Sequence, residues 1–267
     1  MNRINKIFFE KKTNILNLYC TAGYPHLNST IEVMTALQEY GADIIELGMP
    51  YSDPIADGPV IQQSNMSALE NGMSIPLLFE QLKGLREKIR LPVILMGYLN
   101  PVMQYGMERF CADASAAGID GVILPDLPIY EYETSYRPVF EKYRLHFIFL
   151  VTPETGADRI RKIDQVSNGF IYAVSSSSTT GNSDNPAHPL HTTAYLRKLQ
   201  NMKLANPVLV GFGIKDREGF REACRYSSGV IIGSAYIKAL GEGSGIGETT
   251  KVFLKAILGH PELIKTK

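Results

Sequence analysis

Eight short runs of apolar and β-branched residues recur along this chain of 267 residues, separated by longer stretches with helical spacing. The runs are apolar almost throughout, which is typical of parallel strands buried on both faces. They occupy residues 15–20, 43–48, 92–98, 121–126, 146–152, 169–175, 207–213 and 229–235. Eight strand–helix units without a break in composition predict an α/β protein, a single-domain (β/α)8 or TIM barrel over residues 1–267. A doubly wound open sheet is the alternative, but strands of such similar length leave no obvious edge strand.

The N-terminal stretch, residues 2–12, precedes the first apolar run and is predicted to form an extra helix that covers the bottom of the barrel. It has no long apolar segment, so no signal peptide is indicated. The longest apolar runs of the chain, such as VILM and FIFLV, have the length of strands, and no membrane span is predicted.

The charges of the chain balance, with 27 Lys and Arg residues against 27 Asp and Glu residues. Because there is no basic tract, we expect neither nucleic acid nor an acidic membrane surface as a partner. Cys20, Cys111 and Cys224 are an odd number and lie far apart, which fits reduced thiols better than disulfides. These features favour a cytoplasmic protein.

The second strand and its loop, DIIELGMPYSDPIADGPVIQQS, carry two acids of interest. Strand alternation directs Glu46 into the barrel near its C-terminal end, where loss of water raises the pKa of a carboxyl group and suits it to proton transfer. Asp57 lies among prolines that stiffen the loop around its carboxylate. The alternatives are a buried Glu46 paired with Lys or Arg, and an Asp57 that caps the next helix.

Two glycine-bearing motifs, GFGI and IGSA, end the seventh and eighth strands. In barrels of this kind the loops after these two strands often bind phosphate with a helix N-terminus. We expect backbone N–H groups to hold the anion, since neither turn contains Lys or Arg; tight turns alone are the alternative. The candidate residues are Gly211, Phe212, Gly213, Gly233 and Ser234.

The loop after the sixth strand, residues 175–191, is long, polar and rich in Ser, Thr, Asn and Pro, and is predicted to be a lid over the site. His188 and His191 flank a proline in this loop without carboxylates at ligand spacing, so no metal site is expected. GEGSGIG, residues 241–247, does not match a nucleotide-binding glycine motif and is interpreted as a connection.

ELGMPYSDPIADGPVIQ, residues 46–62, resembles the signature of the tryptophan synthase alpha subunit family, which usually reads E-x-G-x-P-x-S-D-P-x-A-D-G-P-x-I-Q. TAGYP, MGYLNP, LPDLP, GFGI and GSA follow in the order that the family shows, so the resemblance covers essentially the whole chain. It implies a TIM-barrel lyase that cleaves indole-3-glycerol phosphate to indole and glyceraldehyde 3-phosphate.

The resemblance also implies roles for the two acids. Glu46 corresponds to the general acid and base that protonates C3 of the indole ring and takes the proton of the glycerol hydroxyl. Asp57 corresponds to the carboxylate that accepts a hydrogen bond from the indole N–H. The loop around Asp53 and Asp57 corresponds to a segment that faces the beta subunit.

Further residues take substrate-binding roles by the same resemblance. Tyr19 and Tyr98 would line the indole pocket, and Tyr172 would lie near Glu46. Thr180 and Gly181 correspond to the lid pair that orients the second acid and closes over the phosphate. The lid departs from the family pattern at Ser176 and Ser178, where Arg and Gly are common.

The family implies an alpha2beta2 heterotetramer, in which the beta subunit holds pyridoxal phosphate and receives indole through an internal tunnel. No cofactor is expected in this chain. Two other functions remain open on the sequence: another phosphosugar barrel, such as an epimerase or isomerase, and a noncatalytic barrel that activates a beta partner. The strand-two motif argues against the first, and the presence of both Glu46 and Asp57 against the second.

Overall fold

The computed structural model describes residues 1–174, 189–211 and 213–259. Parallel strands form a ring in these residues, and helices surround it. Each predicted apolar run contains a strand, although most strands end earlier than predicted because the chain turns into a loop. The strands are β1 Ile15–Thr21, β2 Ile44–Gly48, β3 Val93–Met96, β4 Gly121–Ile123, β5 His146–Phe147, β6 Leu150–Val151, β7 Ile171–Val174, β8 Val208–Gly211 and β9 Gly229–Ile232.

The helices occupy the connections between these strands and pack their apolar faces on the ring. Within the described part of the chain, none is long and apolar enough to cross a membrane. A π-helical turn, Tyr132–Tyr136, lies between the helices Ile129–Glu131 and Arg137–Lys142. The helices are α1 Arg3–Lys11, α2 Thr30–Glu39, α3 Pro59–Glu70, α4 Ile75–Gln81, α5 Leu85–Lys88, α6 Leu99–Tyr105, α7 Met107–Ala117, α8 Ile129–Glu131, α9 Arg137–Lys142, α10 Ala157–Val166, α11 Pro189–Asn201, α12 Arg217–Cys224, α13 Ser234–Glu242 and α14 Ile246–Leu258.

The strand order closes into an eight-position barrel, because the fifth predicted strand is present as two halves. The order runs β5-β4-β3-β2-β1-β9-β8-β7-β6, so the halves β5 and β6 stand at its two ends. Between them, the Ile148 N–H donates to the Val122 carbonyl of β4 at 3.0 Å, and the Phe149 carbonyl accepts from the Tyr172 N–H of β7 at 3.0 Å. The single broken strand thus joins both neighbours, and the prediction of a TIM barrel is confirmed.

The inside of the barrel below the site is packed with aliphatic side chains and one phenylalanine. The extra helix α1 lies across its bottom, as the sequence indicated, and contributes the fully buried Ile4. Arg3 and Arg86 both pair with the buried Asp120, at 3.0 and 2.5 Å, and this fixes α1 to the barrel. The inner cluster consists of Ile4, Ile15, Ile44, Ile94, Ile123, Ile148, Phe170, Leu209 and Ile231.

Candidate active site

A cavity of about 470 Å³ opens at the C-terminal ends of the strands, where barrel enzymes of this kind carry their sites. It contains both acids selected from the sequence, Glu46 and Asp57. Parts of its wall come from β1, β2, β7, β8 and β9, from the loop before α3 and from the start of α13. Of the predicted site residues, those that line it are Tyr19, Glu46, Asp57, Tyr172, Gly211, Gly213, Gly233 and Ser234.

Glu46 lies on the inner face of β2, at the floor of the cavity. Its neighbours Ile45 and Leu47 point outward into the core beneath the helices, so strand alternation turns Glu46 inward. The side chain is only 1% exposed, and its Oε2 accepts a hydrogen bond from Asn17 Nδ2 at 2.8 Å. Burial raises the pKa of Glu46 to about 8, against the opposing effect of Asn17. The alternative, in which a buried Glu46 pairs with Lys or Arg, is not what the described residues show, since the partner of Glu46 is the amide of Asn17.

Asp57 is held in the loop between β2 and α3 by backbone and side-chain contacts. Its N–H donates to the Pro54 carbonyl at 3.0 Å, and its carbonyl accepts from Gln62 Nε2 at 2.9 Å. The carboxylate accepts a 3.0 Å hydrogen bond from the Tyr98 hydroxyl. Gly58, not Asp57, is the N-cap of α3, so the helix-capping alternative is wrong. Burial raises the pKa of Asp57 to about 6, and the Tyr98 bond opposes that rise.

Two tyrosine rings line the cavity beside the acids. Tyr19 pairs in register with Glu46 across β1 and β2. Burial raises the pKa of Tyr172, and the nearby carboxylates of Glu46 and Asp57 raise it further. Both rings need a neighbouring glycine. A Cβ on Gly48 would lie 2.1 Å from the Tyr19 hydroxyl, and one on Gly211 would lie 2.8 Å from the ring of Tyr172. Gly211 therefore has a packing reason to be glycine that the sequence did not reveal.

Tyr98 does not belong to the cavity wall in the described structure. It is 4% exposed and lies behind Asp57, where its hydroxyl donates to the carboxylate and accepts from the Ala56 N–H at 3.0 Å. The structure thus brings Tyr98 to the acid rather than to the open space of the pocket.

The opposite end of the cavity has the form of an anion cradle. Gly213 has a φ of +59°, in the left-handed region that favours glycine. Gly233 precedes α13, and the first-turn N–H groups of Ser234 and Ala235 have no acceptor within the helix. Ser234 and Ala235 line the cavity, so the positive end of α13 faces it. No side chain among the described residues caps this end of the helix.

Two lysines that the sequence analysis missed also line this end. Lys215 follows GFGI directly, and Lys238 lies one turn into α13. The Lys238 ammonium is 3.9 Å from Glu242 in an exposed pair. Lys238 also lines the cavity, so its charge lies near the cavity mouth. Lys238 could not be predicted, because no side-chain cap marks the start of α13. The cradle therefore has cationic side chains as well as amides.

Three predicted site residues, Thr180, Gly181 and Phe212, lie outside the described residues, as do His188 and the substituted lid positions Ser176 and Ser178. Their assignments remain predictions from the resemblance. Among the residues that the structure does describe, no group of three or more His, Cys, Asp or Glu side chains could hold a metal ion.

A (β/α)8 barrel with one buried carboxyl group, one half-buried carboxyl group and an anion cradle at its strand ends defines a barrel enzyme of the acid–base class. Comparison with known proteins gives the family. The family model described as tryptophan synthase alpha chain matches residues 6–258, and the chain belongs to that family.

Individual relatives agree with this assignment. The tryptophan synthase alpha chain of Flavobacterium psychrophilum is 50% identical over 94% of this chain and 98% of its own, and that of Christiangramia forsetii is 49% identical over 94% and 98%. The crystal structure of the Legionella pneumophila alpha subunit superposes with a TM-score of 0.87 at 34% identity, covering 96% of this chain and 97% of that one. Tryptophan synthase from M. tuberculosis in its aminoacrylate-bound form gives 0.83 at 31% identity, with 96% and 100% covered. The chain is a lyase that cleaves indole-3-glycerol phosphate in tryptophan biosynthesis.

Proposed function

We propose that Glu46 and Asp57 carry this cleavage, Glu46 as the group that gives and takes the proton and Asp57 as a fixed anion. The observation that carries the proposal is the difference between the pKa values of two acids in one cavity, the buried Glu46 and the half-buried Asp57. The pKa of Glu46 is raised to about 8, and that of Asp57 only to about 6. At neutral pH Glu46 therefore holds a proton while Asp57 is ionised, which is how paired carboxyl groups divide acid and anion roles.

Glu46 is protonated at the start and at the end of the reaction, but the proton that it gives stays on C3 of indole and the proton that it regains comes from the substrate hydroxyl. Glu46 protonates C3 of the indole ring and becomes a carboxylate. It then removes the proton of the hydroxyl on the carbon attached to C3. The bond between that carbon and C3 breaks, its electron pair restores the aromatic ring, and the hydroxyl carbon becomes the aldehyde of glyceraldehyde 3-phosphate. Glu46 is protonated again and ready for another cycle.

Asp57 stabilises the cation that exists between these two proton transfers. Protonation at C3 places a positive charge on the ring system, and an ionised carboxylate that accepts the indole N–H lowers the energy of that state more than the energy of the neutral substrate. Tyr98 keeps the carboxylate in one orientation through its 3.0 Å hydrogen bond. A preorganised anion of this kind needs no rearrangement during the reaction.

The remaining cavity residues bind the two ends of the substrate in this proposal. The rings of Tyr19 and Tyr172 contact the indole, with Tyr98 acting through Asp57. The phosphate lies on the amides of the cradle, together with Lys215 and Lys238. Thr180 and Gly181 of the lid and Phe212 are assigned by resemblance alone. The proposed binding set is Tyr19, Tyr172, Thr180, Gly181, Gly211, Phe212, Gly213, Gly233 and Ser234, and Tyr98 supports it from behind Asp57.

The test is the release of indole from indole-3-glycerol phosphate by wild type, Glu46→Gln and Asp57→Asn. We expect Glu46→Gln to bind the substrate and to lose about 10²–10⁴-fold in turnover. Glu70→Gln, an exposed glutamate at the end of α3, is the matched control and retains wild-type turnover. Near-normal turnover of Glu46→Gln would remove the acid–base assignment.

We further propose that the chain works with a beta chain in an alpha2beta2 complex and passes indole to it. Pyridoxal phosphate belongs to the beta chain in this proposal, and this chain carries no cofactor.

Three exposed apolar side chains support a docking surface beside the cavity: Ile55 in the loop after β2, Met103 on α6 after β3, and Tyr130 on α8 after β4. Because these strands are neighbours, the three side chains lie on one side of the site's face. The three free cysteines fit the proposed cytoplasmic location.

A further inference from the structure

Asn17 is a polar side chain at a place where the barrel interior is otherwise apolar. It lies on β1 between Ile15, which belongs to the inner aliphatic cluster, and Tyr19, which lines the cavity. Its partner in register on β2 is Ile44, two residues before Glu46. The side chain is fully buried, and burial of an amide is costly unless its polar atoms find partners.

The amide of Asn17 has one partner in the described structure, and that partner is Glu46. Its Nδ2 donates to Glu46 Oε2 at 2.8 Å. Its Oδ1 is buried, and no donor from the described residues reaches it. A buried acceptor without a donor calls for an explanation, because most such atoms in folded proteins are satisfied.

The two ends of an asparagine amide match the two forms of a carboxyl group. The N–H end donates to an ionised carboxylate. After a half-turn of the amide, the oxygen end accepts from the O–H of a protonated acid. In the cycle proposed above, Glu46 alternates between these two forms within each turnover.

We infer that Asn17 is a positioning residue that holds the Glu46 carboxyl group in both of its protonation states. The inference rests on the proton-transfer role proposed for Glu46. Asn17 does not touch the substrate, because it lies beneath Glu46 and is not among the residues that line the cavity. Its unpartnered oxygen is the acceptor that the protonated form of Glu46 uses.

The test compares Asn17→Leu with wild type across the pH range. Leucine has nearly the shape of asparagine but neither donates nor accepts. We expect turnover to fall about tenfold with KM unchanged, as for the loss of one hydrogen bond to a charged group. The alkaline limb of the activity profile moves up by about one pH unit, because the charge-assisted bond to the Glu46 carboxylate is the stronger of the two bonds that Asn17 makes, so its loss destabilises the ionised form more than the protonated form.

A second variant and a second readout cover the case in which Asn17→Leu does not fold. Asn17→Asp keeps the shape, and the pair of carboxyl groups then releases its last proton at a higher pH than wild type does. The titration of the Glu46 carboxyl carbon by ¹³C NMR, assigned by its absence in Glu46→Gln, reports this midpoint without any substrate.

Asn65→Leu is the matched control. Asn65 is a second buried asparagine, also with an unpartnered Oδ1, on α3. Its replacement changes packing but leaves the limb and the NMR midpoint where they are. An unmoved midpoint in the folded Asn17 variants, or an equal shift in Asn65→Leu, would overturn the inference. An active Glu46→Gln would instead overturn the proposed function itself.

Discussion

The Tyr98 hydroxyl joins the backbone and the carboxylate of the loop that carries Asp57. It accepts the Ala56 N–H and donates to Asp57 Oδ2, both at 3.0 Å, across 41 residues of sequence to Asp57. One phenol thus fixes both the position of the loop and the orientation of its acid. The same bond keeps the pKa of Asp57 near 6 against the effect of burial.

Tyr98→Phe should weaken the enzyme most at acid pH. Loss of the donor destabilises the ionised carboxylate, so the pKa of Asp57 rises and the acid limb of kcat/KM moves up by about one pH unit. The measurement is kcat/KM against pH without a beta chain. Tyr51→Phe is the control, because the Tyr51 ring lies 5.3 Å from that of Tyr98 but its hydroxyl accepts from Asn100. A shift of the same size in Tyr51→Phe would show that ring packing, rather than the hydrogen bond, sets the limb.

Part of this site could be predicted from the sequence because it depends on local periodicity. Strand alternation with Ile45 and Leu47 is enough to turn Glu46 inward. The Tyr98–Asp57 bond could not be predicted, since it depends on how the loop after β2 folds over the end of β3. Lys238 could not be predicted for a related reason: the apolar run at residues 229–235 indicates a strand through IGSA, whereas Ser234 already begins α13.

The barrel itself could be predicted from the number and similarity of its strands. Two features of the connections could not. The segment PVIQQSNMSALE forms α3 although its apolar residues are few, because Pro59 suits the first turn of a helix and tertiary packing supports the remainder. The fifth strand was expected to be continuous, but it divides into β5, which pairs with β4, and β6, which pairs with β7.

The activity of wild type should have a bell-shaped dependence on pH. Below about pH 6, Asp57 gains a proton and loses the charge that stabilises the indole cation. Above about pH 8, Glu46 loses the proton that it must donate first. The profile of kcat/KM for indole-3-glycerol phosphate reports both limbs for the free enzyme. A profile that rises steadily above pH 8 would mean that Glu46 starts the reaction ionised.

Glu46→Gln should stabilise the fold at alkaline pH. The pKa of Glu46 is raised from 4.5 to about 8 by folding, so the contribution of Glu46 to wild-type stability is greatest below pH 4.5 and falls until Glu46 ionises in the folded protein as well. Glutamine has no such cost, and the gain should reach on the order of 4 kcal/mol above pH 8. Urea unfolding at about pH 5 and about pH 9 measures the difference. Glu70→Gln should show no pH-dependent gain, and a gain for Glu46→Gln that is equal at both pH values would contradict the raised pKa.

Gly233→Ala should weaken binding of the phosphorylated substrate. Packing does not require glycine there, because an added Cβ would meet Ile61 and Tyr19 at 3.4 and 3.5 Å, which is ordinary contact. It would, however, stand between the backbone and a ligand that approaches it closely. We expect KM for indole-3-glycerol phosphate to rise about tenfold, a loss of one good contact, with little change in kcat.

Gly247→Ala is the control for this experiment, since an added Cβ at that position meets nothing within 4 Å. Binding of inorganic phosphate, followed by ³¹P NMR, gives a second readout that does not depend on the indole pocket. Equal KM values for Gly233→Ala and wild type would place the phosphate away from the start of α13.

Met103→Asp should weaken association with a beta chain. Met103 is 54% exposed on α6, beside the cavity face, and burial of its side chain in a complex would be favourable. A carboxylate at the same place must lose its water when the surfaces meet, so the dissociation constant measured by calorimetry should rise by about tenfold or more. Val252→Asp is the matched control, because Val252 is similarly exposed, at 58%, on the outer helix α14. Equal dissociation constants for wild type and Met103→Asp would exclude the α6 side of the cavity from the docking surface. A loss of affinity in Val252→Asp alone would place the beta chain on the outer helices.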